Sequence, residues 1–308
     1  MLTWIVGSGG LLGSALVKQI TNLFQAPTFS WDEPELLRSE FDTAIRKFKE
    51  QVHTNEWCVI WAAGSATTST SEVETAKELA AFTYFTQALT ANAPENRGAF
   101  FLSSSAGGVY AGSTNPPFSM KTEPAALSAY GQLKIAQEKQ VISALDGTCN
   151  VLIGRISNLY GPSQNLEKLQ GLISRLALSA ITKEPITMFV SLDTLRDYIY
   201  TDDAARVIHS KIRQAMNHSR PANSTSIIAS GQATSLGYLI NMMQDVAHSK
   251  IPVAYGNHAS AGAQARDLRL VPDDSDLTER LVKTTLSAGV KNVYLDILNR
   301  YQVANSGR

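Results

Sequence analysis

Leu2-Thr3-Trp4-Ile5-Val6-Gly7-Ser8-Gly9-Gly10-Leu11-Leu12-Gly13 opens the chain. Leu2 to Val6 is a short apolar run with strand character, and Ser14 to Leu23 reads as a helix. The glycines at 7, 10 and 13 therefore stand where a strand turns into a helix. The first permits a tight turn, and the second lets the backbone approach a pyrophosphate. The third allows close helix–strand packing, with the helix N-terminus facing the anion. Leu11 and Leu12 belong to the same candidate cofactor loop. A glycine-rich structural turn is the plainer alternative, so the rest of the chain has to decide.

A second strand ending in a carboxylate is expected next, because a carboxylate there binds ribose hydroxyls. Thr28-Phe29-Ser30-Trp31 fits the strand, and Asp32 follows it about 20 residues after Gly13, as the pattern requires. In that place Asp32 favours NAD over NADP, since it repels a 2′-phosphate. Alternatively Asp32 belongs to a solvated turn and caps the helix read over 35–52. Trp57-Cys58-Val59-Ile60-Trp61 is a buried strand closed by Ala62-Ala63-Gly64. Side chains that small would let a cofactor lie against the backbone, or would simply pack tightly. Ser71-Glu72-Val73-Glu74 reads as a capping box. It opens a helix with Val73, Ala76, Leu79, Phe82, Phe85 and Leu89 along one side.

Gly98 to Leu102 is another buried strand, with Ser103-Ser104-Ser105 at its C-terminal end, the side on which open parallel sheets bind ligands. A helix running to about Leu145 then carries Tyr130-Gly131-Gln132-Leu133-Lys134. Tyrosine and lysine four apart share one helix face. A cation beside a phenol stabilises the phenolate, which can take a proton from a hydroxyl or return one to a carbonyl. Taken alone, the pair reads equally as a core aromatic with a lysine at its rim.

Composition narrows the classes. The 308 residues allow one large domain or two modest ones. Lys+Arg and Asp+Glu number 27 each, so the zero net charge argues against nucleic acid or an acidic membrane surface as the main partner. No apolar run is long enough to span a membrane. Cys58 and Cys149 lie far apart and read as reduced, buried thiols of a cytoplasmic protein. The five histidines show no metal-ligand spacing, so no metal site is expected.

A glycine loop, a serine and a Tyr-x-x-x-Lys pair in this order resemble the short-chain dehydrogenase/reductase superfamily. The resemblance is stronger to its extended branch, the NAD-dependent epimerase/dehydratase family that acts on nucleotide sugars. Ser103-Ser104-Ser105-Ala106-Gly107-Gly108-Val109-Tyr110 is similar to the family's Ser-Ser-Ser-Ala-Thr-Val-Tyr-Gly with one residue inserted. The spacing to Tyr130 favours Ser105 as the family's serine and leaves Ser104 open. Arg155-Ile156-Ser157-Asn158-Leu159-Tyr160-Gly161-Pro162 is similar to Arg-x-x-Asn-x-Tyr-Gly-Pro, which implies that Asn158 contacts the substrate. Arg196-Asp197-Tyr198-Ile199-Tyr200-Thr201-Asp202-Asp203 is similar to Arg-Asp-Tyr-x-x-x-Asp-Asp. By that match Arg196 binds a diphosphate, to which a guanidinium fork is suited. Arg266 resembles a second phosphate-binding arginine.

The resemblance implies an α/β fold: a Rossmann-type doubly wound parallel sheet with a smaller C-terminal substrate-binding lobe. The NAD(P)-binding part is expected over 1–162 and 196–228, the smaller lobe over 163–195 and 229–308. NAD is implied as cofactor, held by Gly7, Gly10, Leu11, Leu12, Gly13, Asp32, Ala62, Ala63, Gly64, Tyr130 and Lys134. NADP stays open, because the family's usual third strand has no counterpart between Glu35 and Trp57. Ser105, Tyr130 and Lys134 are the implied catalytic residues: Tyr130 as base, Lys134 as the cation that tunes it, Ser105 as hydrogen-bond donor. Ser105, Asn158, Arg196 and Arg266 are the implied substrate contacts. Ala106 and Gly107 stand where 4,6-dehydratases carry an Asp-Glu pair, which speaks against dehydration. A nucleotide-sugar epimerase is the implied function, acting as a homodimer. The alternatives are a ketosugar reductase and a non-catalytic dinucleotide-binding sensor.

Overall fold

Leu2, Trp4 and Val6 face one side of the first strand and Ile5 the other, and both sides are buried. That is the pattern of a strand covered on both faces by helices. The structure, a computed structural model, describes residues 1–166, 171–256, 262 and 265–306. In chain order its elements are β1 (Leu2–Val6), α1 (Leu11–Gln19), α2 (Pro34–Val52), β2 (Trp57–Trp61), α3 (Glu72–Ala91), β3 (Gly98–Ser105), α4 (Ala106–Val109), α5 (Ala129–Leu145), β4 (Asn150–Ile156), β5 (Asn158–Tyr160), α6 (Leu172–Thr182), β6 (Ile186–Met188), β7 (Leu195–Tyr200), α7 (Thr201–Ala215), β8 (Asn223–Ile228), β9 (Ala233–Ser235), α8 (Leu236–Ala247), β10 (Val253–Tyr255), β11 (Asp267–Leu268), α9 (Ser275–Leu281) and α10 (Leu286–Ser306).

Five strands form a parallel sheet in the order β1-β2-β3-β4-β8. Helices α2, α3 and α5 cover one face and α1 and α7 the other, the doubly wound arrangement. The first face carries an aromatic core. Phe85 sits 5.2 Å from Trp4, 5.1 Å from Phe41 and 4.9 Å from Trp61, ring centre to ring centre. Edge-on and tilted contacts of this kind add to the apolar area these rings bury. Cys58 and Cys149 are free and buried, and burial pushes the Cys149 thiol up to about 12.

At the start of the sheet the structure departs from expectation. Thr28 to Trp31 form no strand. The chain touches the sheet edge only at Leu23, bridged to Thr3, and through the Phe24 amide, which donates to the Thr3 carbonyl at 2.8 Å. The reason is local. Pro27 has no amide to offer a ladder, and the Ser30 amide donates to the Glu40 carboxylate at 2.7 Å instead. Phe29 packs half-buried against the core, 5.0 Å from Phe41, while Trp31 lies over the outside of Phe41 at 5.8 Å and stays 44% exposed.

The capping box of α3 forms, with the Ser71 hydroxyl accepting from the Glu74 amide and the Glu74 carboxylate accepting from the Ser71 amide. The expected apolar stripe holds from Phe82 onward through Phe85 and Leu89, whereas Val73 is exposed. In the first turns the buried positions go to Thr75 and Glu78, which face polar groups of the helix and the loop after β2.

A second core lies beyond the C-terminal ends of the strands. It is built by α6, α8 and α10 with β6 and includes Ile173, Leu176, Leu239, Val290 and Ile297. Strand β7 joins this core to the main sheet: Ile199 packs on the α1 and α7 face of the sheet, Tyr198 and Tyr200 in the second core. It pairs with β5, β9 and β11 in a small separate sheet, and β6 pairs with β10. No described helix is long and apolar enough to cross a membrane.

Phe85→Ala should remove about 3–5 kcal/mol of stability, because three aromatic neighbours lose their partner together. Urea unfolding followed by circular dichroism measures this.

Candidate active site

Gly7 has φ +90, and a side chain there would press into the Ala62–Ala63 backbone at 2.6–2.8 Å. A Cβ on Gly13 would stand 2.1 Å from the Gly7 carbonyl oxygen. Bare backbone at both positions lets β1 turn sharply and α1 start against it. No side chain caps α1, so its first amides remain available beside a groove of about 800 Å³. Gly9, Gly10, Leu11 and Leu12 line one end of that groove, with Ala62, Ala63 and Gly64 beside them. Asp32 is not among the groove-lining residues. It stands on an exposed turn and makes no cap to α2, whose N-cap is Glu33.

Strand alternation separates the three serines. Ser104 points into a buried network and donates to Glu138 Oε1 at 2.6 Å. Glu138 in turn holds Arg155 at 2.7 Å, and Arg155 donates to the Tyr110 hydroxyl at 2.7 Å. Burial works against the Arg155 charge, but the Glu138 carboxylate outweighs it and holds the guanidinium above its ordinary range. Ser105 projects from the other side of the strand, and its hydroxyl accepts from the Gly108 amide at 3.1 Å as the N-cap of α4; Ser103, Ser104 and Ser105 all border the groove.

Two glycines then bring α5 to Ser105. A Cβ on Gly131 would lie 2.3 Å from the Gly108 carbonyl, and one on Gly108 would lie 3.0 Å from the Tyr130 ring. Short helix α4 and the first turn of α5 therefore touch backbone to backbone. Ser128 caps α5 by accepting from the Gly131 amide at 3.2 Å. Tyr130 and Lys134 both line the groove, with the Lys134 ammonium 5.7 Å from the Tyr130 ring centre. Lys134 Nζ donates to Gln137 Oε1 at 2.9 Å and lies 3.7 Å from Glu78 Oε1.

At the far end of the groove Asn158 donates to the Asp197 carbonyl at 2.8 Å, tying β5 to β7. Arg196 also lines the groove. It donates to the Leu195 carbonyl at 2.8 Å and makes no ion pair with any described residue, and burial holds its guanidinium below the usual arginine range. Arg266 lies elsewhere: its side chain is 76% exposed and paired with Asp193. Arg175 and Tyr198 are among the groove residues that sequence reasoning missed. Arg175 sits at the start of α6, a helix whose groove-facing side no motif marked; Tyr198 lay inside a quoted motif with no role attached. A smaller cavity of 380 Å³ at the N-terminal ends of the strands, lined by Thr3, Arg97 and His209 among others, is remote from these groups.

Glu138→Gln breaks a buried ion pair one-sidedly and should cost about 3–5 kcal/mol, read as a lowered urea midpoint. Gly13→Ala should weaken NADH binding about tenfold or more, measured by fluorescence titration, because overpacking this contact moves the loop.

The groove's geometry stands beside three comparisons. Over 288 residues the chain is 25% identical to a dTDP-4-dehydro-6-deoxyglucose reductase of Escherichia coli, covering 86% of this chain and 88% of that protein. Over 118 residues it is 32% identical to a dTDP-L-rhamnose 4-epimerase of Burkholderia thailandensis, a match spanning 38% of this chain and only 31% of that protein. Its fold superposes on the structure of MoeE5 in complex with UDP-glucose and NAD with a TM-score of 0.79, at 17% identity and covering 98% and 100% of the two chains, a likeness of fold alone. The family model of the NAD dependent epimerase/dehydratase family matches residues 3–223, so this chain, with its glycine cradle and doubly wound sheet, belongs to that family.

Proposed function

We propose that this protein is an NAD(P)-dependent nucleotide-sugar epimerase that oxidises a sugar hydroxyl to a transient ketone and re-reduces it. One observation carries the reading: Ser105, Tyr130 and Lys134 line a single groove that runs from the glycine cradle to the buried guanidinium of Arg196. A dinucleotide fits the cradle, because Gly7 and Gly13 leave backbone where any Cβ would collide and Ala62 and Ala63 add little bulk. Gly7, Gly10, Leu11, Leu12, Gly13, Ala62, Ala63, Gly64, Tyr130 and Lys134 would hold it. A bound nicotinamide would supply hydride-accepting and hydride-donating chemistry at the sugar carbon. NADP stays open beside NAD, since Asp32 stands clear of the groove.

The protein's own residues divide the remaining work. Tyr130 takes the proton of the sugar hydroxyl and later gives it back. Lys134 places a cation 5.7 Å from the Tyr130 ring centre, beside the point of proton transfer. Ser105 donates a hydrogen bond to the same substrate oxygen, where negative charge develops. Arg196 binds the diphosphate, Asn158 helps to position it, and the lobe built by residues 163–195 and 229–308 closes over the sugar. Arg266 takes no part while Asp193 neutralises it.

A ketosugar reductase is the second reading, favoured by the longer of the two sequence matches. Incubation with NAD(P)H and a nucleotide 4-ketosugar separates them: coenzyme oxidised in step with substrate means a reductase, and redox-neutral interconversion of two sugars means an epimerase. Tyr130→Phe should lower kcat by about 10²–10⁴, a far larger effect than on coenzyme affinity. Undiminished turnover in that variant would remove the catalytic assignment and leave a dinucleotide sensor.

A further inference from the structure

Glu78 belongs to no motif, yet it meets the groove at its most sensitive point. It lies on α3, and its side chain is only 13% exposed. Oε2 accepts from the Ser65 amide at 3.0 Å and the Ala66 amide at 3.1 Å, fastening the loop that follows Gly64. Oε1 lies 3.7 Å from Lys134 Nζ and has no hydrogen bond of its own. Gly64 is part of the fit, since a Cβ there would stand 2.9 Å from Oε1. Burying a carboxylate is costly unless it is paired and hydrogen-bonded, and here two amides and an ammonium meet it.

The ammonium is equally enclosed. The Lys134 side chain is 7% exposed, and Nζ donates to Gln137 Oε1. An ammonium has three protons. Gln137 takes one and Glu78 draws the charge from the α3 side, which leaves donor capacity directed at the groove that Lys134 lines. The other charged and titratable groups on packed elements do not compete. On α5 itself Glu138 is committed to Arg155 of β4, and Tyr110 at the end of α4 is bonded to that same guanidinium. Glu78 is therefore the carboxylate that faces the Tyr130–Lys134 pair.

We propose that Glu78 is a positioning residue: it holds the Lys134 ammonium at its place beside Tyr130 and couples that ammonium to the Gly64–Ala66 loop along the coenzyme groove. The inference rests on the proposed function, in which Lys134 serves both coenzyme and tyrosine. Because one carboxylate ties the loop and the lysine together, disturbing it affects coenzyme affinity and proton transfer at once.

Glu78→Gln keeps an acceptor for both loop amides, removes the charge and turns an amide toward the ammonium. Its NADH dissociation constant, read by fluorescence titration, should rise about tenfold. Its kcat should fall, and its pH–rate profile should move to lower pH, because a negative charge facing the phenol–ammonium pair has gone. Glu78→Asp keeps the charge and should restore the position of the profile with only a partial recovery of affinity. A purely structural role would lower the melting temperature and leave affinity, kcat and profile as in the parent, which overturns the proposal. If Glu78→Gln does not fold, Glu78→Asp carries the test: withdrawing the carboxylate by one carbon should still raise the NADH constant about threefold, and an unchanged constant overturns the proposal. Absence of NADH binding by the parent protein would instead refute the reading of the groove, so the two failures are distinct.

Discussion

A methyl group at position 13 would lie 2.1 Å from the Gly7 carbonyl oxygen, and one at position 131 would lie 2.3 Å from the Gly108 carbonyl oxygen. These two contacts between bare backbones set every other distance in the groove. The first seats α1 against the turn that leaves β1. The second lays the start of α5 on α4, so that Tyr130 arrives beside the strand end carrying Ser105. Neither contact is a source of much attraction by itself. Each is a geometric permission, which the surrounding aromatic and aliphatic core then makes stable.

Around this frame two groups of enclosed polar residues do different work. Ser104, Glu138, Arg155 and Tyr110 satisfy one another completely enough to form a closed network behind the strand. Removing one member strands the others, which is why such networks resist change. Lys134, Glu78 and Gln137 form the second group, and this one stays open toward the groove. Adjacent serines on β3 divide between two partners: Ser104 bonds to Glu138, and Ser105 caps α4.

The edge of the sheet shows how a local substitution of partners can erase an element. Alternating aromatics at Phe29 and Trp31 suggested a strand, yet they belong to an irregular segment whose Ser30 amide is taken by Glu40, with Phe29 against the core and Trp31 exposed over Phe41. With that strand goes the place where Asp32 was to meet a ribose. The sheet reaches only Leu23 on this side, so the adenosine end of a dinucleotide would meet a shorter edge than the family pattern implies.

The glycine spacing at 7, 10 and 13, the Tyr130–Lys134 pair and the serines before them were readable because each depends on a few consecutive residues and one secondary-structure period. Strand Trp57–Trp61 and the helices over 34–52 and 129–145 were readable for the same reason. That Ser104 is taken up by Glu138, that Arg266 is paired with Asp193 and that Glu78 stands beside Lys134 were not readable. Those facts depend on contacts between elements 56 to 73 residues apart in the chain for the last two pairs, which no local pattern encodes. The sequence by itself determined the fold and the kinds of group available for chemistry, because backbone conformation and hydrophobic period are local properties. Tertiary packing alone decided which of those groups keep a free charge or hydroxyl in the groove, because burial and pairing depend on what the rest of the chain brings alongside.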